Sequence, residues 1–329
     1  MSAAVPTQPH DLPLLATEAS TSGNTYIVTG ANTGLGYEAA LHLVRLGAKK
    51  VILAVRSLAA GEAAKAKIEA ATGTTGVAEV WALDLSSYDS AKAFARRAVN
   101  QLERIDAVIE NAAVATVGEK RAEGHLLPLT VNVLGTFLLA VLLLPKMRRD
   151  AEREGIVPRL VVVSSTVGWD AREEWDGIRE DALVRFDLLD SGNLMVTYAL
   201  SKLMDTFCVR ELARVLPVQK GKVVINAVCP GLCITDLGRN CPPDLKESID
   251  EQREMYGRTA EDGSRTLLAA VVHGEESHGC FSSSCEIRED VVPDWVKDEE
   301  AQKYQKQLWE LVVRELENVE PGCVKMTLQ

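Results

Sequence analysis

Short apolar segments alternate with longer helical ones over the first two-thirds of the chain, and this order constrains the fold more than any other feature. The apolar residues in these segments run continuously instead of alternating with polar ones, which is typical of strands buried on both faces. The pattern predicts a doubly wound α/β fold, in which helices cover both faces of a parallel sheet. The predicted strands are Thr25–Thr29, Lys50–Val55, Ala78–Leu83, Ala107–Glu110, Arg159–Ser164 and Val223–Cys229.

The connecting segments have the length and spacing of amphipathic helices. Neither an internal repeat nor a break in composition divides the chain, so one domain over residues 24–320 is expected, preceded by a disordered lead-in at residues 1–23. The predicted helices are Tyr37–Leu46, Ala59–Ala71, Ser87–Leu102, Thr130–Arg149 and Tyr198–Val215.

The last third of the chain has a different character. Residues 236–257 are rich in Pro, Gly, Asp and Glu, and Cys241-Pro242-Pro243 is expected to interrupt regular structure. A loop with a short helix is therefore predicted, forming a C-terminal substrate lid at about 236–260. Spaced apolar residues over 294–319 predict one amphipathic helix packed on the body.

Charge and composition exclude several classes of partner. The net charge of -11 disfavours nucleic acid or an anionic membrane as the main partner, because both are anionic themselves. The seven cysteines form no CxxC pair, which favours a reducing compartment, taken here as the cytoplasm. The most apolar stretch, Val131–Leu144, is too short to span a bilayer and predicts a buried core helix.

A glycine-rich loop, TGANTGLG, joins the first predicted strand to a helix at residues 29–36. Gly30, Gly34 and Gly36 would allow a sharp turn and a close approach of the backbone to a pyrophosphate. The free N–H groups at the start of the helix would then meet the phosphates. A tight turn without a ligand is the alternative, but the strand–loop–helix context favours a dinucleotide site.

Arg56 stands at the end of the second predicted strand, in VILAVRS. Sites for NAD usually carry a carboxylate here, which bonds the ribose 2′-hydroxyl. A guanidinium instead pairs with a 2′-phosphate, so the residue favours NADP. The alternative is an arginine that points into solvent.

Tyr198 and Lys202 are four residues apart in TYALSK, which places both side chains on one helix face. A tyrosine hydroxyl has a pKa near 10, and a neighbouring ammonium favours its phenolate form. The pair could therefore exchange a proton with a substrate. By itself the spacing is common in helices and usually structural.

At this point the motifs resemble those of the short-chain dehydrogenase/reductase family, of the non-extended type with a Rossmann-type fold. The similarity is greatest to its branch of retinol-dehydrogenase-like and fungal biosynthetic reductases, and it covers about residues 25–316. The matching segments occur in the family's order: TGANTGLG at 29–36, LAVRS at 53–57, LDLSS at 83–87, ENAA at 110–113, TVNVLG at 130–135, VVVSS at 161–165, YALSK at 198–202 and CPGLCITDL at 229–237.

The resemblance implies a catalytic tetrad. Tyr198 would be the general acid/base, and Lys202 would bind the nicotinamide ribose and lower the pKa of the tyrosine. Ser165 would hydrogen-bond the substrate carbonyl, with Ser164 as the alternative if the register is shifted by one. Asn132 would hold a water that continues a proton relay through Lys202.

The resemblance also implies a set of contacts to NADP. Asp84 and Leu85 would hold the adenine, while Asn111 would stabilise the central strand and contact the ribose. The segment after the last predicted strand would bracket the nicotinamide carboxamide. The remaining cofactor-binding residues are Gly30, Asn32, Thr33, Gly34, Leu35, Gly36 and Arg56 around the adenosine and phosphates, with Tyr198, Lys202, Pro230, Gly231, Cys233 and Thr235 around the nicotinamide.

Two departures from the family pattern stand out. Where the family has N-N-A-G, this chain has Glu110-Asn111-Ala112-Ala113, which would place a charge and a methyl group beside the cofactor loop. The interval from Ser165 to Tyr198 is longer than in compact members. Its charged insertion at about 170–193 is expected to form a surface element near the mouth of the site.

Three classes of function remain open: an NADP-dependent carbonyl reductase, a silent NADP-binding sensor, and a scaffold. The presence of the whole tetrad favours the enzyme. The lid shows no arginine pair for a carboxylate, so a neutral, lipophilic small-molecule carbonyl is expected, and the resemblance implies a homo-oligomer. No metal is expected, because the spacing of His273, His278, Cys280 and Cys285 fits no standard zinc template.

Overall fold

The predicted alternation folds into one mostly parallel eight-stranded sheet in the computed structural model, which describes residues 7–239 and 241–328. The strand order is β3-β2-β1-β4-β7-β8-β9-β10, with only the β9–β10 pair antiparallel. The order reverses between β1 and β4, and this leaves a crevice at the carboxyl ends of the strands. Strands β1 to β10 span Thr25–Thr29, Lys50–Val55, Ala78–Ala82, Ala107–Glu110, Arg121–Ala122, His125–Leu126, Arg159–Val163, Val224–Cys229, Phe281–Ser283 and Glu286–Ile287.

Helices cover both faces of this sheet, as expected. Helices α2, α3 and α11 pack on one face, and α4, α5 and α8 pack on the other, where α13 lies against α8. Helices α1 to α14 span Glu18–Thr21, Gly34–Arg45, Leu58–Thr72, Tyr88–Gln101, Thr136–Glu154, Arg172–Ile178, Ala182–Phe186, Leu194–Val215, Val218–Gly221, Pro243–Tyr256, Ala260–Val272, Asp294–Lys297, Glu299–Val319 and Cys323–Leu328.

The most apolar helix lies inside the protein. A π-helical turn at Leu129–Gly135 leads directly into α5. Of the described residues, Leu129–Glu154 is the one helix long and apolar enough to cross a membrane, yet 89% of its apolar window is buried in the core. The prediction of a buried core helix at Val131–Leu144 is therefore confirmed.

The N-terminal segment differs from the expected disordered lead-in. The Gln8 amide donates hydrogen bonds to the carbonyls of Leu232 (3.0 Å) and Tyr256 (2.6 Å). The backbone of Leu12, a buried residue, donates to Asp262 at 2.6 Å. Residues 7–22 thus lie along the body because their polar groups find partners there, while residues 1–6 lie outside the described part.

The lid contains more helix than expected. Helix α10 is fourteen residues long, and Pro243 occupies its first turn. Proline suits that position because its missing N–H would be unpaired there anyway. The two prolines therefore start the helix instead of only interrupting structure.

The C-terminal segment is broken where one helix was predicted. Asp298 separates α12 from α13, and its carboxylate accepts a hydrogen bond from the Ala301 amide at 2.7 Å. This side chain caps the start of α13, so the helix begins anew there.

The insertion at 170–193 is also more deeply packed than predicted. Trp175 and Phe186 are buried in the main core, and Trp175 meets Phe207 of α8 with ring centroids 5.1 Å apart. The segment folds into short helices whose charged residues face outward, while its aromatic residues fill space beside α8. It is therefore part of the core as well as of the surface.

Candidate functional site

A cavity of about 710 Å³ opens at the carboxyl ends of the central strands. Of the predicted site residues, only Asn132 and Gly36 lie behind its wall. The other predicted residues line it together: Gly30, Asn32, Thr33, Gly34, Leu35, Arg56, Asp84, Leu85, Asn111, Ser165, Tyr198, Lys202, Pro230, Gly231, Cys233 and Thr235.

Three positions of the glycine-rich loop require glycine for conformational or steric reasons. Gly30 (φ 69°) and Gly34 (φ 57°) adopt the left-handed backbone conformation that disfavours other residues. A Cβ on Gly36 would lie 2.6 Å from the Asn111 amide nitrogen and 2.8 Å from the Gly30 carbonyl. Helix α2 begins at Gly34, so its free N–H groups face the cavity. This cradle fits a dinucleotide pyrophosphate.

Asn111 joins the two central strands behind that loop. Its side-chain amide donates to the Thr29 carbonyl at 2.8 Å. The backbone amides of Asn111 and Ala112 both donate to the Thr29 hydroxyl at 2.9 Å. Thr29 is thus a structural partner that the sequence analysis did not single out, although it directly precedes the first glycine.

Arg56 is exposed at the end of β2 and lines the cavity. Within residues 7–239 and 241–328 it forms neither an ion pair nor a hydrogen bond, so its guanidinium is available to a ligand. Nearby, the Asp84 carboxylate accepts hydrogen bonds from the backbone and hydroxyl of Ser86 at 2.9 and 2.6 Å. The cavity therefore has a free cation at the end where the adenosine would lie.

Tyr198 and Lys202 project from α8 into the same end of the cavity, and the Lys202 Nζ lies 6.0 Å from the tyrosine ring centroid. The Lys202 Nζ donates to the Val163 carbonyl and to the Asp205 Oδ2, both at 2.8 Å. Burial raises the pKa of Asp205 to about 6, and the lysine opposes this effect. The sequence analysis missed Asp205, although its i+3 spacing from Lys202 could have indicated it.

The surroundings of Tyr198 favour the protonated form of its hydroxyl. Burial raises its pKa, and the positive charge of Arg253 acts in the opposite direction. At neutral pH the hydroxyl therefore carries its proton, as the donor to a carbonyl oxygen must.

The structure distinguishes the two neighbouring serines. The Ser164 hydroxyl is buried and donates to the Lys202 carbonyl at 2.7 Å, and it lies 2.9 Å from the Thr206 hydroxyl. Ser165 lines the cavity, and in the described part of the chain the one hydrogen bond of its hydroxyl is a long 3.3 Å bond accepted from the Val167 amide. This arrangement supports Ser165 as the serine that faces a substrate.

Asn132 sits in the π-helical turn and is fully engaged by protein groups. Its Oδ1 accepts from the Val114 amide at 2.8 Å, and its Nδ2 donates to the Val114 carbonyl at 3.0 Å and the Ser201 hydroxyl at 2.9 Å. Its side chain thus fixes the cavity wall at Val114 against α8.

Glu110, which belongs to the first of the two departures, is buried close to Thr29, the residue that opens the glycine loop. It is 3% exposed, and in the described chain neither of its carboxyl oxygens forms a hydrogen bond. Burial raises its pKa to about 8, and the Asp205 carboxylate adds to the effect. At neutral pH the side chain is therefore a neutral acid in the core, while Ala113 lines the cavity.

We expect Glu110 to make stability depend on pH. Between pH 4.5, its ordinary pKa, and about 8, the folded protein holds a proton that the unfolded chain has lost. The free energy of unfolding should therefore fall as pH rises through this window, by at most about 1.4 kcal/mol per pH unit from this group. Denaturant unfolding at several pH values should show a shallower fall in Glu110→Gln, and an unchanged slope would contradict the assignment.

The two histidines of the candidate metal cluster, His273 and His278, contact backbone groups. His278 accepts from the Ile225 amide (3.2 Å) and contacts the Ala213 carbonyl (3.0 Å), and His273 contacts the Cys285 carbonyl (3.3 Å). Among the residues that the structure describes, no three His, Cys, Asp or Glu side chains converge as metal ligands would.

Comparison with known proteins agrees with this geometry. The family described as short chain dehydrogenase matches residues 24–176. The short chain dehydrogenase/reductase dmxR8 of Cryptosporiopsis sp. is 40% identical over 92% of this chain and 93% of its own length. The short chain dehydrogenase atnD of Emericella nidulans is 42% identical over 78% of this chain and 82% of its own.

Solved structures show the same fold. A protein from Mycobacterium paratuberculosis superposes with a TM-score of 0.66 at 27% identity, covering 92% of this chain and 97% of that one. A short chain dehydrogenase from Shigella flexneri, complexed with NADP, gives a TM-score of 0.59 at 23% identity, with 80% and 98% covered. The solved structures share the fold, and the fungal relatives establish that the chain belongs to the short-chain dehydrogenase/reductase family.

Proposed function

We propose that this protein is an NADP-dependent reductase of a lipophilic ketone or aldehyde, which oxidises the corresponding alcohol when NADP⁺ dominates. The observation that carries the proposal is the convergence of Ser165, Tyr198 and Lys202 on one cavity with the glycine cradle. Apolar side chains form much of the remaining wall, namely Val114, Val131, Val167, Leu194, Met195, Leu232, Leu237 and Ile249.

The cofactor would lie along the carboxyl ends of the strands, with its pyrophosphate over the glycine loop and its 2′-phosphate at Arg56. Asp84 and Leu85 would border the adenosine, while Pro230, Gly231, Cys233 and Thr235, which also line the cavity, would border the nicotinamide. When bound, the reduced nicotinamide supplies the hydride that reaches the carbonyl carbon.

The chain's own residues would handle the carbonyl oxygen. Ser165 and Tyr198 offer two hydroxyl donors, which stabilise the negative charge that develops on that oxygen. Tyr198 then transfers its proton to the oxygen. Lys202 sits directly behind the tyrosine, fixed by Val163 and Asp205, so its charge is held in one place.

A silent NADP-binding sensor or a scaffold is the alternative. Neither role requires a serine, a tyrosine and a lysine around one cavity. A panel of ketones, aldehydes and quinones, each tested for NADPH oxidation, separates the possibilities. Turnover of at least one lipophilic carbonyl is expected, whereas NADPH binding without turnover of any class would favour the sensor.

The proposal also covers the biological role, the cellular location and the oligomeric state of the protein. The relatives are fungal short-chain dehydrogenases, which supports a role in a biosynthetic pathway. All seven cysteines are unpaired, which supports a cytoplasmic location. We propose a homo-oligomer from the family resemblance. Light scattering at micromolar concentration tests this, and a mass equal to that of one chain would contradict it.

A further inference from the structure

A cation of the lid lines the cavity that holds the predicted catalytic residues. Arg253 belongs to α10, a helix without a buried residue, yet its side chain is only 11% exposed. It lines the same cavity as Tyr198 and Ser165. A Cβ placed on Gly238 would lie 3.7 Å from its Nη1, so the loop after Thr235 approaches the guanidinium closely.

The pairing of this guanidinium is incomplete. Its one ion pair within the described chain joins Nη1 to the Asp250 Oδ1 at 3.3 Å, and that carboxylate is 44% exposed and also bound by Lys246. The Arg253 Nε is shielded from solvent and has no hydrogen-bond partner among the described residues. A buried guanidinium with free donors is costly unless a ligand completes its bonds.

The acidic residues that line the cavity either bond other groups or are exposed at its rim. Asp84 bonds Ser86, and the Asp236 Oδ2 accepts from the Thr33 hydroxyl at 3.1 Å. Asp170 is exposed at the rim. In the described structure none of the three forms an ion pair with Arg253, so its charge faces the cavity.

The guanidinium shares the cavity with Tyr198, Ser165 and Cys233. Its charge acts to lower the pKa of Tyr198 and of Cys233, against the effect of burial. Because both residues line one cavity, a substrate with its carbonyl at Tyr198 could extend other substituents towards Arg253. A planar fork of N–H donors suits an anionic oxygen better than a neutral one.

We propose that Arg253 determines substrate specificity, and that the carbonyl substrate also carries an anionic oxygen, a carboxylate or an ionised phenol or enol. The inference rests on the proposed reductase function. It differs from the neutral carbonyl expected from the sequence, because folding brings a lid arginine that looked isolated in the chain into the wall of the same cavity as Tyr198.

Matched pairs of substrates test this inference: an aromatic keto acid with its methyl ester, and a hydroxyaryl ketone with its methyl ether. The wild-type protein should favour the anionic member of at least one pair by about 10- to 100-fold in kcat/KM, as one charge-assisted hydrogen bond allows. Arg253→Gln should remove the preference mainly through KM, and Arg253→Lys should retain part of it.

Arg239→Gln is the matched control, because Arg239 is an exposed arginine on the rim of the same cavity. This variant should keep the preference for the anionic substrate. Unchanged NADPH affinity in each variant will show that the fold and the cofactor cradle are intact.

A failed proposal of reductase activity can be distinguished from a failed assignment of Arg253. If no substrate is turned over, the same pairs are titrated into the NADP⁺ complex, where the anionic member should still bind more tightly and Arg253→Gln should abolish the difference. Equal kcat/KM or Kd within both pairs for wild type, or the same preference in Arg253→Gln, would overturn the inference.

Discussion

Tyr198→Phe is expected to lower kcat by about 10²- to 10⁴-fold while NADPH still binds. The substitution removes the hydroxyl that would protonate the carbonyl oxygen but leaves the aromatic ring in the wall of the cavity. The glycine cradle and Arg56 lie at the other end, so cofactor affinity should not change. Steady-state kinetics with any substrate from the carbonyl panel, together with NADPH titration, measures both effects.

Tyr37→Phe provides the control, because Tyr37 is a partly buried tyrosine of α2 outside the cavity lining. It should retain wild-type kcat. A Tyr198→Phe protein that kept more than about a tenth of wild-type kcat would show that another group supplies the proton, since a lost acid/base usually costs more.

Arg56→Asp is expected to reverse the choice of cofactor. A charge-assisted pair between a guanidinium and a 2′-phosphate contributes about 1.5–3 kcal/mol. This corresponds to about a ten- to hundredfold preference for NADPH over NADH in the wild-type protein. The aspartate would repel the phosphate of NADPH and accept a hydrogen bond from the ribose hydroxyl of NADH. In Arg56→Asp, kcat/KM should therefore fall with NADPH and rise with NADH.

Arg96→Asp makes the same charge change at an exposed arginine of α4, outside the main cavity, and should leave the ratio unchanged. Equal efficiency with NADH and NADPH in the wild-type protein would refute the assignment of NADP. An unchanged ratio in Arg56→Asp would instead mean that the Arg56 side chain points into solvent.

The strands were the most predictable part of the fold. Each predicted strand forms within one residue of its predicted ends, because a strand buried on both faces needs a short, continuous apolar run, and the segments between these runs have the length and spacing of helices. The structures of the insertion at 170–193 and of the C-terminal segment with α12 and α13 were less predictable. Burial of Trp175 depends on α8, and the break at Asp298 depends on a local hydrogen bond that apolar spacing does not report.

Some residues of the candidate site were likewise predictable from the sequence, and others were not. Gly30, Gly34, Arg56, Tyr198 and Lys202 were identified from the sequence, because each lies in a short motif whose spacing carries its own chemical reason. Local motifs of this kind fix which atoms can approach a ligand before the rest of the chain is considered.

The buried carboxyl groups and the lid arginine around that site come together only in the tertiary structure. Glu110 and Asp205 are far apart in the chain, and only the packing of α8 on the sheet places two buried carboxyl groups near each other and Asp205 against Lys202. Arg253 likewise reaches the cavity only because α10 folds over it. Local spacing in the sequence was enough to predict the cofactor cradle and the reacting groups, whereas burial and long-range charge contacts, which set the pKa values of buried groups, exist only once the chain is folded.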